Sequence, residues 1–420
     1  MPPLLLNVVV ETIGIDVQKK DQQQTLARTI NLPLLALYGL GTILGAGIYV
    51  LVGKVAGSAG ILAPLAFLVA ALIALFTALS YAQLVALFPK SAGEAVYVLK
   101  GLKRQTLATV VGWLVVMTGI VSSATLVNGF IGYLGVFVTL PHWLGVVLVV
   151  ACLGAVAAYG IRESMWLSAI MTLVEIGGLI IVIIFAGDHL LTADYSFSDY
   201  FVPTSFSQLG GVLSAAFLAF YAFIGFEDMV NVAEEVKEPS KTIPKGIFIA
   251  VVVSTFLYIL ITLIAINALP LNQLAASDAP LSLILEGEGA GAANTVAFIS
   301  LFAIINGVLI QIIMASRVLY GMVAQRSAPA IFGQVSPLTH TPLIATLIVM
   351  LAVTVFALWL PVVQLAKITS FIILLVFCLI NYSLYQLRNN PDYRDTQWLR
   401  SYPRLALALC LFLLFAEILV

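Results

Sequence analysis

The chain has 420 residues, of which 62% are hydrophobic and only 9% charged, against roughly 25% charged residues in a soluble domain. A formal net charge of −1 argues against a nucleic-acid partner, and the composition leaves no room for a sizeable water-soluble domain. The class that remains is a polytopic membrane protein in contact with lipid.

Mostly apolar segments of 18 or more residues recur about eleven times, each long enough for a hydrocarbon core of roughly 30 Å. The first apolar run, Leu4 to Val10, is too short to span and lacks a preceding basic stretch, so residues 1–30 read as a cytoplasmic tail and not as a signal peptide. The 19 Lys and Arg residues are sorted into alternate loops: before segment one, after segments two, four, six and eight, and between ten and eleven. Only Lys54 and Lys367 break the pattern. The positive-inside rule then places the N-terminus in the cytoplasm of a cell-membrane protein.

Segment one, Leu34 to Ala56, carries Gly39, Gly41, Gly45 and Gly47. Each glycine costs about 1 kcal/mol against alanine in a helix interior, so an unwound stretch is predicted. In lipid, unwound backbone is tolerated only where it lines a cavity or meets a ligand. The spacing of Gly41 and Gly45 also suits a close helix-packing face, so both readings stand at this point.

Segment two, Ile61 to Phe88, leads into Pro89–Glu94 and the weakly amphipathic Ala95 to Leu102, expected along the cytoplasmic interface. Segments three (Thr106 to Val138) and four (Trp143 to Tyr159) follow, and Gly160–Ser164 is the next inner turn. Segment five, Met165 to Ala186, holds Glu175 ten residues in. A carboxylate at that depth is expensive and points to function.

The acidic outer loop Gly187 to Ser207 precedes segment six, Gly210 to Val236, where Phe220–Asp228 combines aromatic bulk, Gly225 and two acids. A second break is predicted there. Segments seven (Ile247 to Leu269), eight (Ala292 to Met322), nine (Pro342 to Leu360), ten (Val362 to Leu387) and eleven (Leu405 to Val420) complete the chain, with an outer stretch Pro270 to Gly291 before eight. Cys152, Cys378 and Cys410 read as packing residues. His142, His189 and His340 lie in different loops, so neither a metal nor a cofactor is expected. Asn381-Tyr382-Ser383 matches a glycosylation acceptor but sits in a predicted helix.

Interrupted segments five apart are the mark of an inverted repeat of helices one to five and six to ten. A half-helix starting near Gly47 presents free N–H groups and partial positive charge to the membrane middle, and one ending near Phe220 presents free carbonyls. Together these ends suit the carboxylate and the ammonium of a zwitterionic α-amino acid, with Gly45 and Gly47 leaving room for the approach and Ala46 the largest residue tolerated. Glu227 and Asp228 are placed to brace the second half of helix six.

Gly41-Thr42-Ile43-Leu44-Gly45-Ala46-Gly47-Ile48-Tyr49 resembles the first-helix motif of the amino acid-polyamine-organocation (APC) transporters, in particular the cationic amino acid transporter-like branch. Pro89–Glu94, Phe223–Glu227 continuing to Glu234–Pro239, and Ser316–Met322 agree with it, and the resemblance covers about residues 25–400. It implies an all-α LeuT-type five-plus-five inverted-repeat fold with broken helices 1 and 6 and about eleven transmembrane helices. The core would be residues 31–390, with repeat one about 31–187 and repeat two about 208–390, and residues 391–420 an additional C-terminal helix.

The resemblance further implies a secondary active permease of amino acids working by alternating access. Gly45, Ala46 and Gly47 would donate N–H groups to the substrate carboxylate, and the carbonyls of Ile43, Tyr221 and Ile224 would take the ammonium. Phe220, Phe223 and Phe226 would shape or gate the side-chain pocket, with Phe223 the gate. Glu175, with Gly41 and Thr42 nearby, is assigned to ion coupling, to H+ in the first instance and to Na+ in the second. Two departures stand out: several family members carry a lysine where this chain has Glu175, and the family usually has twelve helices. An exchanger, a transport-inactive sensor and a channel are the competing readings, although no ring of charge or repeated filter sequence supports the last.

Overall fold

The fold comes from a computed structural model that describes residues 28–89, 93–159, 165–192, 195–337, 339, 341–389 and 402–419. The tail as far as residue 27, Lys90–Ala92 of the motif after span two, the inner turn Gly160–Ser164, Asp194, His340, the basic residues Arg394 and Arg400, and Val420 lie outside the described residues.

The chain is all helical in its long elements. Among the described residues eleven apolar helices follow one another: Leu32–Ala59, Ala63–Leu87, Gln105–Leu134, His142–Tyr159, Met165–Ala186, Phe206–Phe220 with its continuation Phe226–Glu235, Pro239–Ala268, Ala290–Ala324, Leu343–Trp359, Val362–Asn389 and Tyr402–Leu419. We number them as spans one to eleven. Their starts are chemically specified. Asn31 Oδ1 accepts from Leu34 N at 3.2 Å and Ser205 Oγ from Gln208 N at 3.2 Å, each satisfying a donor that a first turn leaves free. Pro33, Pro64 and Pro239 occupy first-turn positions, where the missing N–H costs nothing.

Packing between the spans displays the repeat that sequence identity hides. Span one packs on seven and six on two; three packs on ten and eight on five; four packs on eight and nine on three; one packs on five and six on ten. Each pair becomes its partner pair when five is added to or subtracted from both numbers. An odd number of spans per repeat starts the second repeat on the opposite side of the membrane, which makes the repeat inverted.

Five buried hydroxyls are satisfied without leaving their helices: Thr118, Ser123, Thr125, Thr172 and Thr262 each donate to the carbonyl four residues earlier, an economical arrangement where no water is at hand. The two cations that break the basic-residue sorting are both paired. Lys54 Nζ lies 3.3 Å from Asp278, and Lys367 Nζ lies 2.6 Å from Glu417 of span eleven and 3.1 Å from Ser214 Oγ of span six. The Asn381 acceptor is fully buried, its amide donating to Thr77 Oγ1 at 3.1 Å, so its side chain is enclosed in the core.

Residues Gly93–Leu102 form a helix whose Glu94, Tyr97 and Val98 are buried against spans three and ten, so one of its faces is in the core. The stretch before span eight holds two short helices, Leu271–Ala276 and Pro280–Ile284. On the opposite side the entry to span one and the exit from span six are joined by a parallel β-bridge, with Ile30 N donating to Glu235 O at 3.0 Å and Lys237 N donating to Ile30 O at 2.9 Å.

Candidate substrate site

Both predicted breaks occur. Span one loses helical backbone at a single residue, Gly45 (φ −23°, ψ −138°). Span six ends its first half at Phe220, makes one turn of 3-10 helix over Tyr221–Phe223, runs extended at Ile224, turns at Gly225 with φ +127° and resumes as 3-10 helix over Phe226–Glu235. Only glycine adopts that φ readily.

The breaks touch. A Cβ on Gly225 would come within 2.3 Å of the Thr42 carbonyl oxygen, and one on Gly47 within 2.6 Å of the Ala222 Cα. Gly45 instead faces open space, with no atom within 4 Å of where its Cβ would lie. The Tyr258 hydroxyl of span seven reaches both breaks, 2.6 Å from Ile43 O and 2.8 Å from Ala222 O. Glu227 braces span six by accepting from Gly225 N at 2.9 Å.

Around this junction is a cavity of about 40 Å³. It brings together most of the site residues expected from the sequence: Gly41, Thr42, Ile43, Gly45, Gly47, Tyr221 and Ile224 all line it. Ala46 is helical, and its side chain lies outside the described residues. Phe220, Phe223 and Phe226 do not line it. They are fully buried in an aromatic cluster, Phe223 beside Tyr258 with ring centres 5.1 Å apart, and Phe220 and Phe226 against Phe377.

Glu175 is also outside the cavity. It is 1% exposed and neither carboxyl oxygen has a hydrogen-bond partner; Asn306 of span eight is a polar neighbour, without the geometry of a bond. Its helix presses on span one: the Thr172 hydroxyl would meet a Cβ on Gly41 at 2.1 Å, and the Glu175 carbonyl accepts from Tyr49 Oη at 2.5 Å. Tyr133 of span three extends the chain by donating to Tyr49 O at 2.7 Å.

The remaining wall comes from residues the sequence gave no reason to single out. Ser122 and Leu126 of span three, and Gly307, Ile310 and Gln311 of span eight, line the cavity with Asp228. Ser122 Oγ lies 3.0 Å from the Tyr221 hydroxyl. The span-eight residues recur at helical spacing, the one signal that places them on a common face.

The cavity is asymmetric in its access. On the side of the 270–291 stretch, Leu274 and Ala275 lie where Cβ atoms on Gly53 and Gly57 would fall, and Lys54 Nζ donates to Ala275 O at 2.9 Å. Toward the other side, Ile224, Asp228, Ile310 and Gln311 also line a second cavity of about 980 Å³ that reaches Glu94, Arg317 and Gln325. Remote from both, Asp188, His189 and Glu288 bring their ligand-type atoms within 4.8 Å of one another, a cluster hidden in a sequence that sets Glu288 far from the adjacent Asp188 and His189.

Two facing breaks in a bundle of apolar helices, enclosing a cavity with a wide vestibule on one side, define a membrane transporter and not an enzyme. The Amino acid permease family model matches residues 35–420, and the chain belongs to that family. It is 30% identical over 424 residues to the branched-chain amino acid permease BcaP of Bacillus subtilis (strain 168), with 93% of this chain and 88% of the relative covered. It is 28% identical over 395 residues to the vacuolar cationic amino acid transporter 4 of Arabidopsis thaliana, covering 89% of this chain but 65% of that protein. A methylthioribose transporter of Bacillus subtilis (strain 168) is 28% identical over 344 residues, 77% of this chain and 73% of the relative.

Proposed function

We propose that this chain carries α-amino acids across the cell membrane by alternating access, with a cytoplasmic N-terminus and with uptake coupled to protons through Glu175. The observation that carries the reading is the pairing of unlike helix ends across one cavity. The second half of span one begins beside Gly45–Gly47, where free N–H groups and a positive dipole end suit a carboxylate. The first half of span six ends at Tyr221–Ile224, where carbonyls suit an ammonium. The relatives named for branched-chain and cationic amino acids support a substrate with both groups.

In this topology the vestibule opens to the cytoplasm, and the arrangement is the inward-open one. The repeats run about 31–187 and 208–390, and 391–420 is an accessory helix. Gly45, Ala46 and Gly47 hold the carboxylate, while the carbonyls of Ile43, Tyr221 and Ile224 take the ammonium. The Ile43 and Tyr221 carbonyls already accept one bond each, from Tyr258 Oη and Ile224 N, and a carbonyl's second lone pair remains for the ligand. Glu175, buried and unpartnered, takes and releases the coupling proton, and its contact helix passes the change to Gly41 and Thr42. Phe223 gates after a rearrangement that frees it from Tyr258.

The test is uptake of a labelled amino acid mixture into proteoliposomes under an imposed proton gradient, an imposed sodium gradient, or neither. Accumulation with the proton gradient alone, lost in Glu175→Gln while equilibrium binding persists, is the expected result. Accumulation by Glu175→Gln equal to the parent's overturns the coupling role, and binding of methylthioribose but no amino acid overturns the substrate class.

A further inference from the structure

We infer that the site selects small amino acids whose side chain carries a hydrogen-bond donor, of the serine and threonine type, with Gln311 as the residue that reads the donor. This rests on the substrate reading above and names a substrate class within it.

The first argument is room. The cavity measures about 40 Å³, which at about 10–15 Å³ for each water-sized centre holds roughly three. Its far wall is contributed by Leu126, Ile310 and Gly307, and Gly307 has the Leu126 side chain 3.0 Å from where its Cβ would lie. A branched aliphatic side chain of four carbons presses on Leu126 and Ile310 there, and gains room only by turning toward the larger cavity that Ile310 and Gln311 also line.

The second argument is an unused acceptor. Gln311 lines the cavity, and its Oε1 is buried with no hydrogen-bond partner. An orphaned buried acceptor is costly, and a ligand that supplies the missing donor recovers that cost on binding, whereas a ligand of the same shape without one leaves it standing. Ser122 Oγ of span three and the Tyr221 hydroxyl of span six already bond to each other at 3.0 Å, so of these three polar groups only the span-eight carboxamide has a buried oxygen with no bond at all. With the main-chain carboxylate and ammonium held at the breaks, the walls left for the side chain are those of spans three and eight, where Gln311 stands.

Threonine and valine are close isosteres that differ by a hydroxyl against a methyl, so their ratio isolates this contact. In detergent-solubilised full-length protein, displacement of labelled alanine should need about tenfold less threonine than valine, or less still, and leucine should compete more weakly than valine. Gln311→Met should bring the threonine-to-valine ratio close to one, and Gln311→Asn should leave an intermediate ratio. Valine competing as well as threonine against the parent protein overturns the proposal while alanine binding still upholds the substrate class. A ratio unchanged in Gln311→Met removes Gln311 from the reading. Failure of alanine to bind the parent at all overturns both inferences together.

Discussion

The two breaks solve one problem with different chemistry. Span one interrupts its helix at Gly45 alone and continues to Ala59, so its backbone is exposed to a ligand over a very short arc with open space in front. Span six gives up α-helix from Tyr221 to the end of the membrane pass, and its loosened backbone is held from outside by Tyr258 and from within by Glu227. A break made of small residues needs little support because its neighbours can close on it; a break of bulky residues needs polar braces to keep its freed groups paired. The ammonium end is on that reading the more dependent on distant side chains.

The comparison is easiest to break at Gly225. Alanine there must take φ +127° and place its Cβ 2.3 Å from the Thr42 carbonyl, so Gly225→Ala is expected to cost about 3 kcal/mol or more. A thermal unfolding midpoint equal to the parent's would refute the contact between the breaks. Next come the two span-one glycines. Gly47→Ala, which runs into Ala222, should lose about 1–3 kcal/mol, whereas Gly45→Ala, facing open space, should stay within about 0.5 kcal/mol. Gly45→Leu should keep the fold and abolish amino acid binding; a variant that binds normally would move the carboxylate site elsewhere.

Tyr258→Phe sharpens the contrast further. It removes the hydroxyl shared by both breaks at a cost of about 1–2 kcal/mol, and hydrogen exchange should rise more around Ala222 than around Ile43, because span one loses helical backbone at Gly45 alone while span six leaves α-helix from Tyr221 onward. Equal protection at both sites would make the two breaks equivalent. The smallest effect is expected at Phe223, which is buried beside Tyr258 and away from the cavity. Alanine, leucine and tryptophan there should change amino acid preference only a few-fold, and identical preferences across all three would leave it a packing residue.

These differences explain what the sequence could and could not disclose. The glycine run of span one was legible because helix propensity penalises it wherever it falls. The second break was legible as a location, yet its facing was not. Tyr221 and Ile224, three apart, turn toward the cavity, while Phe220 and Phe226 turn against Phe377 and Phe223 against Tyr258. Which face a span-six residue presents depends on where 3-10 turns replace α-helix. Tyr258 and Gln311 were hidden for another reason: one tyrosine or glutamine in an apolar span has no pattern of its own, and only the approach of other helices gives it partners or denies them.

The bridge between Ile30 and Val236 has a consequence for independence of movement. Two helix ends free of one another would admit four combinations of position, two of them with one end displaced alone. Hydrogen bonds from Ile30 to Glu235 and Lys237 couple the start of span one to the exit of span six, so those mixed positions are strained. Tension applied to the chain ahead of Ile30 would be delivered to both spans as one load.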